Sequence, residues 1–319
     1  NAADALDEHG WSVAVDALAR AMEATKPDVK SLNANGNDAD GAERKSAASR
    51  CAARGETCAL LAHAAAETYF ARGAVLSAAS LQKLVDALLS VATHASASTE
   101  RIEATERAAT RMSLLALEIE SHRALLAVLL HLHAAHSTKT RNIRDEDEAE
   151  AEAEDVKASE GTRLFSDAQV ACGASTRDAL VRTAVGILDR FASRIESAET
   201  KPTCDSALTP FASAFAPLAS DALRALARLD DDAFRAALFF PVNFTGDFDS
   251  SANVLPRDDV SGKDATRTET PRTLTGFDAL TRLTSCASTP RETRAALSDV
   301  FQRRVGPLLS RALRRDARA

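Results

Sequence analysis

The C-terminal stretch from Gly276 to Leu313 limits the possible folds most, because it predicts two amphipathic helices joined by a short turn. In both halves, apolar residues recur three or four positions apart, which is the period of a helix that buries one face. These residues are Phe277, Leu280 and Leu283 in the first helix and Leu297, Val300, Phe301 and Val305 in the second. Such a helix pair cannot bury its apolar faces alone, so the fold must supply neighbouring helices.

The run Thr289, Pro290, Arg291, Glu292 predicts where the second helix starts. We expect Thr289 to cap the first free N–H groups, because a hydroxyl at this position can accept their hydrogen bonds. Pro290 suits the first helical position, and Glu292 suits the third-position acid of a capping box.

Two further signals follow in the same stretch. Asp299 lies one turn before Arg303, a spacing that favours an ion pair on the exposed side of a helix. Gly306 and Pro307 are expected to break the helix, because proline lacks the N–H that continues it.

The rest of the chain supplies the neighbouring helices. It is rich in Ala and Leu, its aromatic content is only 4%, and it contains no run of alternating β-branched residues, all of which favours helix over sheet. Apolar periodicity predicts helices at about 11–24, 50–71, 80–92, 100–135, 178–195, 205–229 and 234–240. The 100–135 stretch is expected to divide into two helices near Ser121 and His122, where the apolar face changes.

Three polar stretches interrupt this pattern, at 28–49, 137–161 and 243–272. The second contains an almost wholly acidic run, in which like charges one turn apart repel each other. We therefore expect disordered inserts at these places, within a single helical-repeat region that spans 1–319.

The predicted helices have similar lengths and follow one another as antiparallel neighbours. Helix pairs spaced by about 40 residues are typical of HEAT repeats. The prediction is therefore an all-α fold, a HEAT-like or armadillo-like α-solenoid of antiparallel helix pairs. A globular helical bundle would leave much the same pattern and stays open as an alternative.

Charge and composition exclude several classes of function. The net charge is −7 and the pI about 5.6, which argues against non-specific nucleic-acid binding, since no broad basic field is available. No apolar run approaches the roughly 20 residues that span a bilayer. The five cysteines are scattered and odd in number, which favours reduced thiols in a cytosolic protein.

The sequence predicts neither a metal nor an enzymatic site. Of His131, His133 and His136, only the last two can share a helix face, and no further ligands complete a tetrahedral set. Cys51 and Cys58 lie two helical turns apart, a spacing that suits buried packing. The nucleotide-binding and nucleophile-elbow motifs are missing from the sequence, so we expect no cofactor and no catalysis. An unrecognised helical enzyme stays an alternative that a pocket of buried carboxylates or histidines would support.

A group of arginines near the C-terminus is the candidate contact surface. Its members are Arg303, Arg304, Arg311, Arg314 and Arg315. They can meet an anionic membrane at roughly 1 kcal/mol per well-placed residue, or an acidic partner. In the alternative interpretation, the arginines stabilise a helix C-terminus or neutralise the acidic insert.

Several segments resemble one family. The run LTRLTSCASTPRETRAALSDVFQRRVGPLL, at 280–309, resembles the final helices of the large Arf guanine-nucleotide exchange factors of the brefeldin-inhibited, trans-Golgi type. The helix from Trp11 to Pro27 is similar to one in the same C-terminal region. So is the helix at 81–92 followed by Leu-Leu-Ala-Leu-Glu at 114–118.

The resemblance implies a non-catalytic regulatory region of a larger protein, with the exchange domain as a separate module. Its implied partners are small GTPases of the Arf and Rab families, a peripheral contact with Golgi or trans-Golgi membranes from the cytoplasm, and self-association. No nucleic acid is implied. The acidic insert, the polar loops and the many alanines depart from the family pattern. The alternative is a helical-repeat scaffold or adaptor of another pathway, such as transport or ribosome assembly.

Overall fold

The computed structural model describes residues 8–28, 41–102, 108–149, 165–200, 205–239, 242–243 and 273–316. The helices are α1 Glu8–Thr25, α2 Gly41–Arg72, α3 Ala78–Ile102, α4 Ala108–Ala149, α5 Asp167–Thr200, α6 Asp205–Arg228, α7 Asp231–Phe239, α8 Gly276–Ser285, α9 Arg291–Val300 and α10 Gly306–Asp316. A 3₁₀ turn, Gly73–Val75, follows α2, and a π turn, Phe301–Val305, joins α9 to α10. Two short strands, β1 Val242–Asn243 and β2 Thr273–Leu274, pair antiparallel.

The helices are stacked in two layers. One layer contains α1, α3, α5 and α8, and the other contains α2, α4, α6 and α9; within each layer, every helix packs on the next. Each helix also packs on its sequence neighbour in the other layer, so that α1–α2, α3–α4, α5–α6 and α8–α9 are pairs. The short helix α7 lies between the last two pairs along the chain and packs against α5, α6 and α8.

Contacts between side chains give the helix directions within and between the layers. In the layer of α2 and α4, Gly55 of α2 lies against Leu114 of α4. Further along both helices, the Tyr69 hydroxyl lies 2.7 Å from His131 Nδ1. Positions on the two helices advance together, so the helices are parallel. Within the α1–α2 pair the order reverses, because the Cys58 thiol meets the carbonyl of Met22 while Arg72 stacks on Trp11. Helices that are parallel within a layer and antiparallel within a pair make an α-solenoid, so the predicted fold class is confirmed.

One continuous core runs between the two layers. The predicted apolar stripe of α3 supplies Leu81, Leu84, Val85 and Leu88, all of which are buried. Burying a side chain of this size contributes about 1.5–3 kcal/mol. None of the described helices combines the length and apolarity that crossing a bilayer requires.

Two of the predicted inserts are partly wrong, because helix covers 41–49 and 137–149. At the first, Ala47 and Ala48 are buried, so this segment belongs to the packed face of α2. At the second, α4 continues without a break, and lengthening an existing helix avoids the cost of a new nucleus. Residues 29–40 and 150–161 of these two inserts, and residues 244–272 of the third, lie outside the described residues.

The expected division of the 100–135 stretch near Ser121 and His122 is wrong. Residues 108–149 form one helix, and both polar side chains bond within it. The Ser121 hydroxyl donates to the Glu118 carbonyl, and His122 Nδ1 lies 2.8 Å from the same oxygen. The polar side chains are satisfied locally, so the helix need not end there.

The predicted cap of α9 is also wrong. The helix begins at Arg291 with Pro290 at the cap position and no side-chain cap bond. The Thr289 hydroxyl instead donates to the Leu283 carbonyl at 2.8 Å, which ties the end of α8 to the α8–α9 turn. A complete capping box occurs one helix earlier, between Thr275 and Asp278 at the start of α8.

Gly306 and Pro307 do not break the helix. The N–H of Gly306 donates to the carbonyl of Phe301, five residues back, so the chain widens into a π turn and remains helical. Pro307 then lies in the first turn of α10, where its missing N–H is tolerated.

Candidate partner-binding surface

The candidate arginines lie on two consecutive elements at the end of the solenoid. Arg303 and Arg304 are in the π turn, whereas Arg311, Arg314 and Arg315 are on α10. The helical continuation past Pro307 therefore joins the two groups in one segment. It does not bring all five to the same environment.

Arg304 is largely built into the fold. Its side chain is only 21% exposed, and its guanidinium lies 4.6 Å from the centre of the Phe234 ring. It donates a hydrogen bond of 2.7 Å to the carbonyl of Leu229 and lies 3.3 Å from Asp231. These contacts fasten the π turn to the junction of α6 and α7, so Arg304 positions the surface.

The other described side chains of the five candidate arginines face solvent. Arg303 is 77% exposed and pairs with Asp299 at 2.5 Å, which confirms the predicted pair one turn apart. Arg311 is 66% exposed and lies 3.6 Å from Asp231. Arg314 is exposed as well. Arg315 belongs to α10, but its side chain lies outside the described part of the structure.

A row of carboxylates at the start of α7 lies beside these arginines. Asp230 accepts a hydrogen bond from the Ala233 N–H at 2.7 Å and one from Arg177 at 2.9 Å. Asp230 thereby caps the N-terminus of α7, where a negative charge is favourable. Asp231 pairs with arginines of the C-terminal segment, whereas the exposed Asp232 has no hydrogen bond or ion pair within the described residues. The surface therefore carries both signs of charge in close contact.

Two grooves adjoin the arginines and share Arg228 and Arg304. The first runs between α6 and α9 and is lined by Arg224, Ala227, Arg228, Glu292, Ala295, Ala296, Asp299, Val300, Arg303 and Arg304. The second is lined by His136, Ser137, Thr138, Arg177, Arg228, Leu229, Asp230, Asp231, Asp232 and Arg304. Sequence reasoning missed Arg224 and Arg228. Both residues lie in the last two turns of α6, and this position was the available signal in the sequence. The helix that lies beside them is known only from the packing.

The three histidines do not converge. His131 meets Tyr69 through Nδ1, and His133 is buried with Nε2 3.9 Å from Asp230, while His136 lines the second groove. Burial lowers the pKa of both His131 and His133. Among the residues that the structure describes, no three His, Cys, Asp or Glu side chains are grouped so that they could hold a metal ion.

Sequence reasoning also missed a buried ion pair in the middle of the solenoid. Glu118, the last residue of the Leu-Leu-Ala-Leu-Glu string, is fully buried and pairs with Arg190 of α5. Its flanking apolar residues Leu117 and Ile119 were the available signal, because all three are enclosed on the same stretch of α4. The sequence did not indicate which arginine would reach it.

Comparison with known protein families gives a match. The family model described as the BIG2 C-terminal domain matches residues 57–302, well over half of the chain. No curated protein and no solved structure matches the chain. The matched range runs from the middle of α2 into the π turn, and so includes Arg224, Arg228 and the acidic start of α7.

Proposed function

Because the chain belongs to the family of the BIG2 C-terminal domain, we propose that it is the non-catalytic regulatory and interaction region of a large Arf guanine-nucleotide exchange factor. The family match over residues 57–302 is the observation that carries the proposal. The resemblance of the segments at 81–92, 114–118 and 280–309 to the brefeldin-inhibited, trans-Golgi exchange factors supports it. In this proposal, the exchange reaction belongs to a separate domain.

The proposed activity is binding of small GTPases of the Arf or Rab families in their GTP-bound form, at Golgi or trans-Golgi membranes. A partner can recruit or release a region only if it binds one state more tightly than another, and the nucleotide supplies that difference. The two layers of the solenoid offer long helical faces over which such contacts can be spread. In this proposal, the same binding also serves to relieve autoinhibition of the exchange domain or to support self-association.

The proposed contact surface is the C-terminal arginine segment with the two adjoining grooves. Arg303, Arg311 and Arg314 present exposed guanidinium groups, and Arg228 is exposed between the grooves. The same segment offers a peripheral contact to an anionic membrane. Arg304 supports the surface from within, through Leu229 and Phe234.

A pull-down tests the proposed binding. Purified Arf- and Rab-family GTPases are loaded in turn with GDP and with a GTP analogue, then captured on the immobilised chain. We expect capture of at least one GTPase in the GTP-analogue form only. Capture of neither form by a folded chain would contradict the proposal and favour a helical scaffold of another pathway.

Charge reversal tests the proposed surface. Replacing Arg311, Arg314 and Arg315 by Glu should weaken capture and membrane association. A matched control replaces Arg20, Arg50 and Arg182 by Glu, because within the described residues these exposed arginines bond only to backbone or hydroxyl groups of their own helices. Equal binding by the two variants would place the contact elsewhere on the solenoid.

A further inference from the structure

Asp231 forms ion pairs with two arginines of the C-terminal segment, Arg304 and Arg311. Its Oδ1 lies 3.3 Å from Arg304, and its Oδ2 lies 3.6 Å from Arg311. Each oxygen therefore faces a different element, one the π turn and the other α10. A single carboxylate on α7 holds both parts of the C-terminal segment.

Few other contacts of α10 are described, because the side chains of residues 312, 313, 315 and 316 lie outside the described part of the structure. The helix packs mainly against the π turn that precedes it, with Leu308 half-buried against the core. Leu309 is 41% exposed on the same helix, and Arg311 and Arg314, two and five residues further on, are exposed on roughly the opposite side. The ion pair with Asp231 is thus one of the described links between α10 and the preceding body of the solenoid.

We propose that Asp231 is an internal competitor for Arg311, which an anionic phospholipid surface displaces when α10 binds to it. This inference rests on the proposed membrane contact and states how that contact is regulated. A lipid surface is the partner that fits, because α10 combines exposed arginines with an exposed leucine, as interfacial helices do. An acidic protein segment would need the arginines but would leave Leu309 without a role.

The strength of the ion pair permits this competition. Both side chains are largely exposed, 66% for Arg311 and 60% for Asp231, and exposed ion pairs are weak and screened by salt. The attraction of one arginine to an anionic leaflet is of similar size. Removing the carboxylate should therefore change membrane affinity by a measurable but small factor, about twofold to fivefold.

The test compares Asp231→Asn with Asp232→Asn in the full chain. Both changes remove one negative charge from the first turn of α7, and both residues are exposed, but only Asp231 contacts a described arginine. The effects on net charge and on the helix dipole are therefore matched. The first readout is amide hydrogen exchange of residues 306–316. The second is flotation with phosphatidylcholine vesicles, prepared with and without phosphatidylserine.

We expect Asp231→Asn to speed exchange in 306–316 and to raise binding to the phosphatidylserine vesicles twofold to fivefold above Asp232→Asn. Equal exchange in the two variants would overturn the tether. Faster hydrogen exchange without stronger vesicle binding would overturn the competition. Absence of vesicle binding by every variant would overturn it as well.

The inference and the proposed surface can fail separately. If Arg311→Glu abolishes vesicle binding while the two Asp variants bind equally, the membrane contact stands and the internal competitor is excluded. If Arg311→Glu leaves vesicle binding unchanged, Arg311 makes no membrane contact, and the competition fails with it.

Discussion

Glu118 and Arg190 form an ion pair in the middle of the solenoid, where Glu118 has no exposed surface. Arg190 Nη2 donates to Glu118 Oε2 at 3.0 Å and to the carbonyl of Ser96 at 3.1 Å, and the Ser96 hydroxyl donates to Oε1. The pair therefore connects α3, α4 and α5. A carboxylate in this environment is tolerated because its oxygens are occupied by donors.

Removing one partner of this pair should destabilise the fold strongly. Glu118→Ala leaves the Arg190 guanidinium without its buried counter-charge, which should lower the free energy of unfolding by about 3–5 kcal/mol. Urea denaturation measures the change. Glu120, two residues after Glu118, provides the control, because it pairs with Arg123 at the surface. Glu120→Ala should cost less than about 1 kcal/mol, and equal losses for the two variants would contradict the buried position of the pair.

A second prediction concerns the close approach of α4 and α5. A Cβ at Gly173 would collide with the carbonyl of Leu132 and crowd His136, so Gly173→Ala should force the helices apart. The expected cost is about 1–3 kcal/mol, as for overpacking in a core. At Gly55, inside α2, the nearest atom to an added Cβ is 3.6 Å away. Gly55→Ala should be neutral or stabilise by up to about 1 kcal/mol through helix propensity, and thermal unfolding of both variants separates these outcomes.

A third prediction follows from His133. Burial lowers the pKa of His133 below its ordinary value of 6.5, an effect that Asp230 opposes. In the unfolded chain the ring takes up a proton near pH 6.5, whereas the folded protein resists protonation. Stability that is present above about pH 6.5 is therefore lost as the pH falls towards the folded pKa.

The measurement is urea unfolding at about pH 7.5 and about pH 5.5, on either side of the ordinary histidine pKa. His133→Gln removes the titrating group, so the loss of stability between the two conditions should be smaller than in the unmodified chain. An unchanged loss would show that His133 is equally protonated in the folded and unfolded states.

A fourth prediction concerns the thiols. Cys51, Cys58, Cys172 and Cys286 are all buried in the described structure, and burial raises the pKa of Cys172 to about 11. Because the thiolate is the reactive form, these cysteines should react slowly with a thiol reagent until the chain unfolds. Cys204 lies outside the described residues, so the measurement uses Cys204→Ser. Rapid modification of four thiols in that folded variant would contradict the packing.

Periodicity predicted the helices well because each one buries a single apolar face. The stripe at Leu81, Leu84 and Leu88 shows this directly, as does the pair of Asp299 and Arg303, which depends on one helix alone. The capping signal failed because a contact across the α8–α9 turn fixes the side chain. Thr289 bonds to Leu283 and forms no cap on α9, because the hydroxyl is buried in the α8–α9 turn.

The candidate surface was predictable in part for the same reason. The arginines of the C-terminal segment could be found in the sequence, but their partners could not. Asp231 is more than seventy residues from both Arg304 and Arg311, and only the stacking of α6, α7 and α9 brings them together. The partner of Glu118 was likewise not predictable, because Arg190 lies on a different helix.

The central claim is that this helical region recognises the GTP-bound state of a small GTPase. The most direct measurement is a titration of the unmodified chain with one captured Arf- or Rab-family GTPase, loaded with GDP and then with a GTP analogue. The account predicts at least about tenfold tighter binding of the GTP-analogue form, a difference of about 1.4 kcal/mol. Equal dissociation constants for the two forms would contradict it, because a partner that binds both states equally cannot signal between them.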